Sequence, residues 1–229
     1  MGTSVSFRSP ATPRWHAFRA SLESAEPIER SRAELFSAGA SWGEEIASEN
    51  LAPFVRRLIG AYSEFGDMLA VSTRPEQAIS RLVREARNEA LAAGAPAALA
   101  IAERALQQTL IITVRSTQPL ACTSPEAAAA TWHEQRGSSA ADLTSRYLGE
   151  VVRQFALFAT SREAAVVFGQ SEDAGRTRQV TRELGRSVAA LASDVEINDA
   201  ALRESPDSAW RSAVQSVFSR GRAWPDKRQ

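Results

Sequence analysis

The sequence predicts an all-α fold: antiparallel amphipathic helices, roughly five to seven of them, forming a bundle or extended helical hairpins. Three observations point this way. Large apolar side chains recur at steps of three and four along most of the chain, which gathers them on one side of a helix. Proline and capping residues stand at the starts of those stripes, as in Ser205-Pro206-Asp207. The one strand-like run, LIITV (110–114), continues a stretch of helix formers and reads as helix.

Residues 1–30 carry Pro10, Pro13 and Pro27 among Ser, Thr and Arg and read as a flexible N-terminal arm, with Trp15 and Phe18 available to dock. A first helical half spans 31–115. It opens with a short helix to about Glu49, weakened by Gly39 and Gly43. Leu51, Phe54, Val55, Leu58, Ile59, Tyr62, Phe65 and Leu69 then form a broad apolar stripe. Asn50 suits its cap, and Pro53 sits in the first turn, where a missing N–H costs nothing. Thr73-Arg74-Pro75-Glu76 marks the next start, and Ile79, Leu82, Val83, Ala86 and Ala90 share a side as far as Gly94. Pro96 begins a third segment with Leu99, Ala102, Leu106, Leu110 and Val114, ending near Arg115.

Residues 116–138 hold Pro119, Cys122, Pro125 and Gly137. They read as a connection with one or two helical turns at 126–132, and as the natural seam between two halves. The second half, 139–221, repeats the broad stripe in Leu143, Tyr147, Leu148, Val151, Val152, Phe155, Phe158 and Ala159. Val180, Leu184, Val188, Leu191 and Val195 mark a further helix. Trp210, Val214, Val217 and Phe218 mark the last, stopped by Gly221, and 222–229 form a tail. FVRRLIGAYSEFGDMLAV (54–71) and VVRQFALFATSREAAVVF (151–168) are weakly alike. Duplication and the chance similarity of two amphipathic hairpins both account for that.

Charge argues about partners. Of 229 residues, 27 are Lys or Arg and 27 are Asp or Glu, so the formal net charge is zero and no electrostatic ground exists for expecting nucleic-acid binding. The only lysine is Lys227; that skew, with the abundant alanine, is typical of a GC-rich bacterial coding sequence. A single cysteine forbids an intrachain disulfide, and the N-terminus lacks the apolar core of a secretory signal, so a cytoplasmic location is expected. Met1-Gly2 with Ser6 fits a myristoylation pattern formally, but a chance match is the simpler reading. The most apolar stretch, 95–114, is broken by Glu103, Arg104, Gln107 and Gln108, so no transmembrane span is expected.

Candidate chemistry is sparse, and no cofactor, metal or enzymatic activity is expected. His133 has Glu134 beside it but no second local ligand, and His16 lies far away in sequence, whereas a catalytic zinc site wants three closely spaced ligands. His133 reads as an exposed loop histidine. Cys122 lacks the flanking pattern of a nucleophile loop and reads as a small buried hydrophobe. The acidic pairs Glu44-Glu45 and Glu172-Asp173 suit helix starts, where they complement the macrodipole. Arg176, Arg178, Arg182 and Arg186 form a basic strip broken by Glu183. A solvated face or a seam with a partner helix is the plain reading, and a phosphate-binding surface the sharper one. AELFSAGASWGEEIASENL echoes the first helices of TetR-type regulators, but the chain then runs to Ala52-Pro53-Phe54 instead of a turn and a recognition helix.

The segment from about Ser31 to Gln108 holds a long amphipathic helix (LAPFVRRLIGAYSEFGDMLAV), a junction (STRPEQA) and an alanine- and charge-rich helix (ISRLVREARNEALAAG). This resembles the phasins, which coat polyhydroxyalkanoate granules, with Ser72, Pro75, Glu76 and Ala78 at the junction. The resemblance implies a non-enzymatic coat or scaffold protein that adsorbs to a hydrophobic granule surface and self-associates. The alternatives are an adaptor in a bacterial multi-protein complex and a helical ligand-binding regulator. In the coat reading Phe54, Leu58, Tyr62, Phe65 and Leu69 stay exposed or are covered by a second copy. In the adaptor reading they are core, and contacts are sought at Trp210 with Phe218 or Trp15 with Phe18.

Overall fold

The computed structural model describes residues 12–23, 28–48, 51–92, 98–115, 119–168 and 174–223, and within them regular structure is helical throughout, with no strand. Asn50, Gly94, Pro96, Glu172 and Asp173 fall outside the described residues, as does the tail beyond Ala223. In chain order the helices are α1 Pro13–Glu23, α2 Ile28–Ala38, α3 Ala40–Ile46, α4 Ala52–Ala70, α5 Pro75–Ala92 and α6 Leu99–Val114. After a 3-10 turn at Leu120–Cys122 come α7 Pro125–Gln135, α8 Ala140–Phe168, α9 Ala174–Ser193, α10 Asp199–Glu204 and α11 Pro206–Arg222.

The all-α class holds, but among the described residues eleven helices replace the expected five to seven. The excess has local causes. The helix read over 31–49 divides at Gly39, whose Cα lies under the Phe155 ring so closely that a Cβ would approach Phe155 Cζ to 2.2 Å. The supposed arm supplies α1, because Pro13 suits a helix start and Trp15, Phe18 and Leu22 are buried on one side of it. Arg19 then ties α1 to α8, its Nε donating to the carboxylate of Glu163 at 2.6 Å, where Glu163 is only 2% exposed. Residues 12–23 are therefore part of the bundle and not a free arm. The LIITV run is helical as expected, and Thr109 just before it and Thr113 within it settle buried hydroxyls by donating to the carbonyls four residues back, at 2.9 and 2.8 Å.

The connection read over 116–138 also changes character. Ser124 caps α7, its hydroxyl accepting from the Ala127 N–H at 3.2 Å, and Pro125 fills N1. The helix buries Trp132 edge-on against Phe65 of α4, ring centroids 4.9 Å apart. Nothing here separates two halves. One continuous apolar core runs from Trp15 and Phe18 in α1 through α4 to α8 and α11. Its aromatic centre joins Phe36 of α2, Phe155 of α8 and Phe218 of α11, with Phe36–Phe218 edge-to-face at 4.9 Å and Phe155–Phe218 at 5.6 Å.

The start of α8 is a capping box with aspartate in the acidic position. Ser139 Oγ accepts from the Asp142 N–H at 3.2 Å, and the Asp142 carboxylate accepts from the N–H of Ser139 at 3.1 Å and of Ser138 at 2.7 Å. Gly137 makes the preceding turn possible at φ +93°, where a side chain would also collide with Asp142 Cβ. The hydroxyl of Ser138, then its N–H, hold the Asp142 carboxyl below the usual aspartate range. A carboxylate depressed in the folded state stabilises it above its unfolded pKa, and that contribution is lost as pH falls through the folded value. Asp142→Asn keeps an accepting oxygen but loses the charge in the first turn, so it is expected to cost about 0.3–1 kcal/mol at neutral pH. The gap between wild type and variant should close on acidification below the ordinary aspartate range, as read by urea denaturation across pH.

Candidate interaction surfaces

The residues that sequence periodicity marked as contact candidates lie inside. Phe54, Leu58, Phe65 and Leu69 are fully buried on the inner side of α4, and Tyr62 is half-buried. Arg136 lies over the Tyr62 ring, 4.3 Å from its centroid, and donates to the Tyr62 carbonyl. Trp210 stacks on Tyr147 at 5.3 Å and donates its indole N–H to the Ile46 carbonyl at 2.9 Å. Burial pushes the Tyr147 hydroxyl pKa far up, so it stays protonated beside the Ala102 carbonyl. Phe218 is closed in by Phe36 and Phe155, with Gly43 of α3 directly against its ring. Trp15 and Phe18 pack edge-to-face at 5.9 Å in the same core. All of these side chains pack within the folded chain, Tyr62 in part.

Four large apolar side chains stay outside among the described residues: Phe158, which belongs to the stripe read over 143–159, and Val71, Leu91 and Ile112, which belong to no stripe. Val71, at the end of α4, is 87% exposed, Ile112 on α6 is 62% exposed beside the half-buried Ile111, and Phe158 on α8 is 43% exposed with its ring 5.8 Å from Trp42. Ile112 stands two residues from both Leu110 and Val114 of the α6 stripe, which on a helix puts it on the opposite side from them.

Histidine and cysteine are dispersed over three elements. His133 is on α7, not in a loop, with its ring packed over Gly66 of α4. His16 is exposed on α1, and Cys122 is exposed in the 3-10 turn instead of buried as expected, because that turn buries none of its residues. Among the described residues no group of three or more His, Cys, Asp or Glu gathers in metal-binding geometry. No described helix is long and apolar enough to cross a membrane.

Among the described residues, shallow grooves on the surface include three of a few hundred cubic ångströms. One of about 320 Å³, between α4 and α5, contains Arg57, whose guanidinium is held by Glu85 at 3.2 Å and by Glu89. A second of about 440 Å³, along α11, has four serines with Glu196, Glu204 and Arg220 in its lining, Arg220 donating to the Asp194 carbonyl at 2.6 Å. The third, about 520 Å³ between α8 and α9, is rich in arginine. No family model, no curated protein and no solved structure matches the chain. The site has to be argued from its own geometry.

Proposed function

We propose that this chain is a non-catalytic interaction module, a cytoplasmic helical bundle acting as an adaptor within a multi-protein complex. The observation that carries this reading is the placement of the α4 stripe. Phe54, Leu58, Phe65 and Leu69 line the chain's own core. Burying apolar area stabilises by about 25 cal/mol per Å² whichever partner covers it. A bundle already using that side gains from adsorption only if it first opens. The exposed large apolar side chains are scattered, with Val71 just past the end of α4, Leu91 on α5, Ile112 on α6 and Phe158 on α8. Such points suit anchors for a protein partner better than a continuous coating face. The separation of His16, His133 and Cys122 onto different elements favours binding over chemistry.

The coat reading suggested by the phasin resemblance requires the same α4 side chains outside. Light scattering combined with co-sedimentation on polyhydroxyalkanoate granules or a hydrophobic emulsion separates the two. The adaptor reading expects the protein in the supernatant, with an unchanged mass when emulsion is present. Pelleting with the granules, abolished by Leu58→Asp but not by Ile112→Asp, would establish the coat instead. Ile112→Asp should alter stability by no more than about 0.5 kcal/mol, being an exposed change.

A further inference from the structure

The groove between α8 and α9 differs from the other two in its charge. Arg153, Leu157 and Ser161 of α8 form one wall; Arg178, Thr181, Arg182, Gly185 and Arg186 of α9 form the floor and the opposite wall. Arg178, Arg182 and Arg186 stand at i, i+4 and i+8, on one side of α9. Like charges at that spacing repel and disfavour the helix that holds them together.

In the groove between α4 and α5, facing carboxylates relieve the charge on Arg57. Here the acidic groups are otherwise engaged. Glu150 holds Arg153 in a two-point pair, Oε2 accepting from Nε at 2.7 Å and Oε1 from Nη2 at 2.6 Å. Oε1 also accepts from the amide of Gln154 at 2.6 Å. Glu183 accepts from Gln179 at 3.0 Å. Arg182 and Arg186 have no acidic partner among the described residues. Within the same groove the Thr181 hydroxyl is buried and makes no hydrogen bond. A buried hydroxyl without a partner is costly and marks a place where a ligand atom would be stabilised.

We propose that this groove binds a small phosphate-bearing molecule, with Arg182 and Arg186 taking the phosphate oxygens and Thr181 donating to one of them. A planar guanidinium offers paired donors that match two oxygens of a phosphate. The volume suits a small organic phosphate rather than a bare ion. Gly185 leaves room on the floor and Leu157 provides an apolar wall beside it: a Cβ at 185 would stand 3.4 Å from Leu157 Cδ2, in ordinary contact.

The test is isothermal titration of the full chain with pyrophosphate and with adenosine monophosphate at low ionic strength. Binding should weaken as salt is raised, and Arg182→Gln with Arg186→Gln should reduce it at least ~10-fold while leaving the thermal unfolding midpoint near wild type. Thr181→Val should weaken it less. Gly185→Ala is the discriminating variant, because it should raise the unfolding midpoint by removing a mid-helix glycine while weakening binding by filling the floor. Absence of binding to either phosphate overturns the proposal, as does binding unchanged in the double variant. Binding only to vesicles containing phosphatidic acid, or equal per-charge binding of a single-stranded oligonucleotide insensitive to Thr181→Val and Gly185→Ala, also overturns it. Those results would mark a lipid surface or general polyanion attraction instead.

Discussion

Phe155→Ala is expected to cost about 3–5 kcal/mol, a large share of the stability of a typical domain. Phe155 is where four helices meet. Its ring lies 6.2 Å from Phe36 of α2, 6.3 Å from Trp42 of α3 and 5.6 Å from Phe218 of α11. Gly39 sits directly beneath it. Removing the ring leaves a cavity bordered by stiff aromatic neighbours that cannot all move inward, so the upper part of the range applies. Phe158, three residues on, is 43% exposed and touches the same Trp42 from the outside. Its alanine variant should cost at most about 1 kcal/mol. Denaturant midpoints at constant slope measure both. Equal losses at the two positions would mean that α8 does not present Phe155 to a shared core.

The second large effect is expected at Trp132. If residues 116–138 were only a connection, Trp132→Ala would change stability by no more than about 0.5 kcal/mol. With Trp132 fully buried against Phe65, the expected loss is about 3–5 kcal/mol. Trp132→Phe behaves differently. The indole N–H is buried without a hydrogen-bond partner, and leaving such a donor unmade costs about 1–3 kcal/mol, which phenylalanine relieves. That relief opposes the cost of the lost ring volume, so the variant should fall within about 1 kcal/mol of wild type.

Where side-chain spacing and proline placement act locally, the sequence was readable, whereas the side-chain cap expected of Ser205 is not made and the N-cap of α4 is Leu51. Pro75 and Pro206 open α5 and α11 as expected, and the stripe of α4 faces the core along its length. What escaped were features set by tertiary packing. The proline-rich N-terminus suggested a free arm, yet Trp15, Phe18 and Leu22 find buried positions, and Arg19 finds Glu163, 144 residues away in sequence. No local pattern announces such a partner. Two amphipathic hairpins separated by prolines and a glycine suggested two halves, but α7 between them carries one large aromatic side chain that a pocket on α4 accepts. The contact candidates failed for the opposite reason. Apolar periodicity reports that a side chain will be buried and is silent on whether the chain itself or a partner covers it. The arginine strip was visible in sequence, but the contribution of Arg153 and the room left by Gly185 appear only when α8 and α9 are packed together.

Amide hydrogen exchange along α4, with and without a hydrophobic emulsion, tests the central claim that this helix faces the chain's own core. The account predicts that Val55 through Leu69 exchange among the slowest amides of the molecule and keep that protection when emulsion is added. Fast exchange in the protein alone, or protection along α5, α7 and α8 that falls on contact with the emulsion while α4 stays ordered, would contradict it.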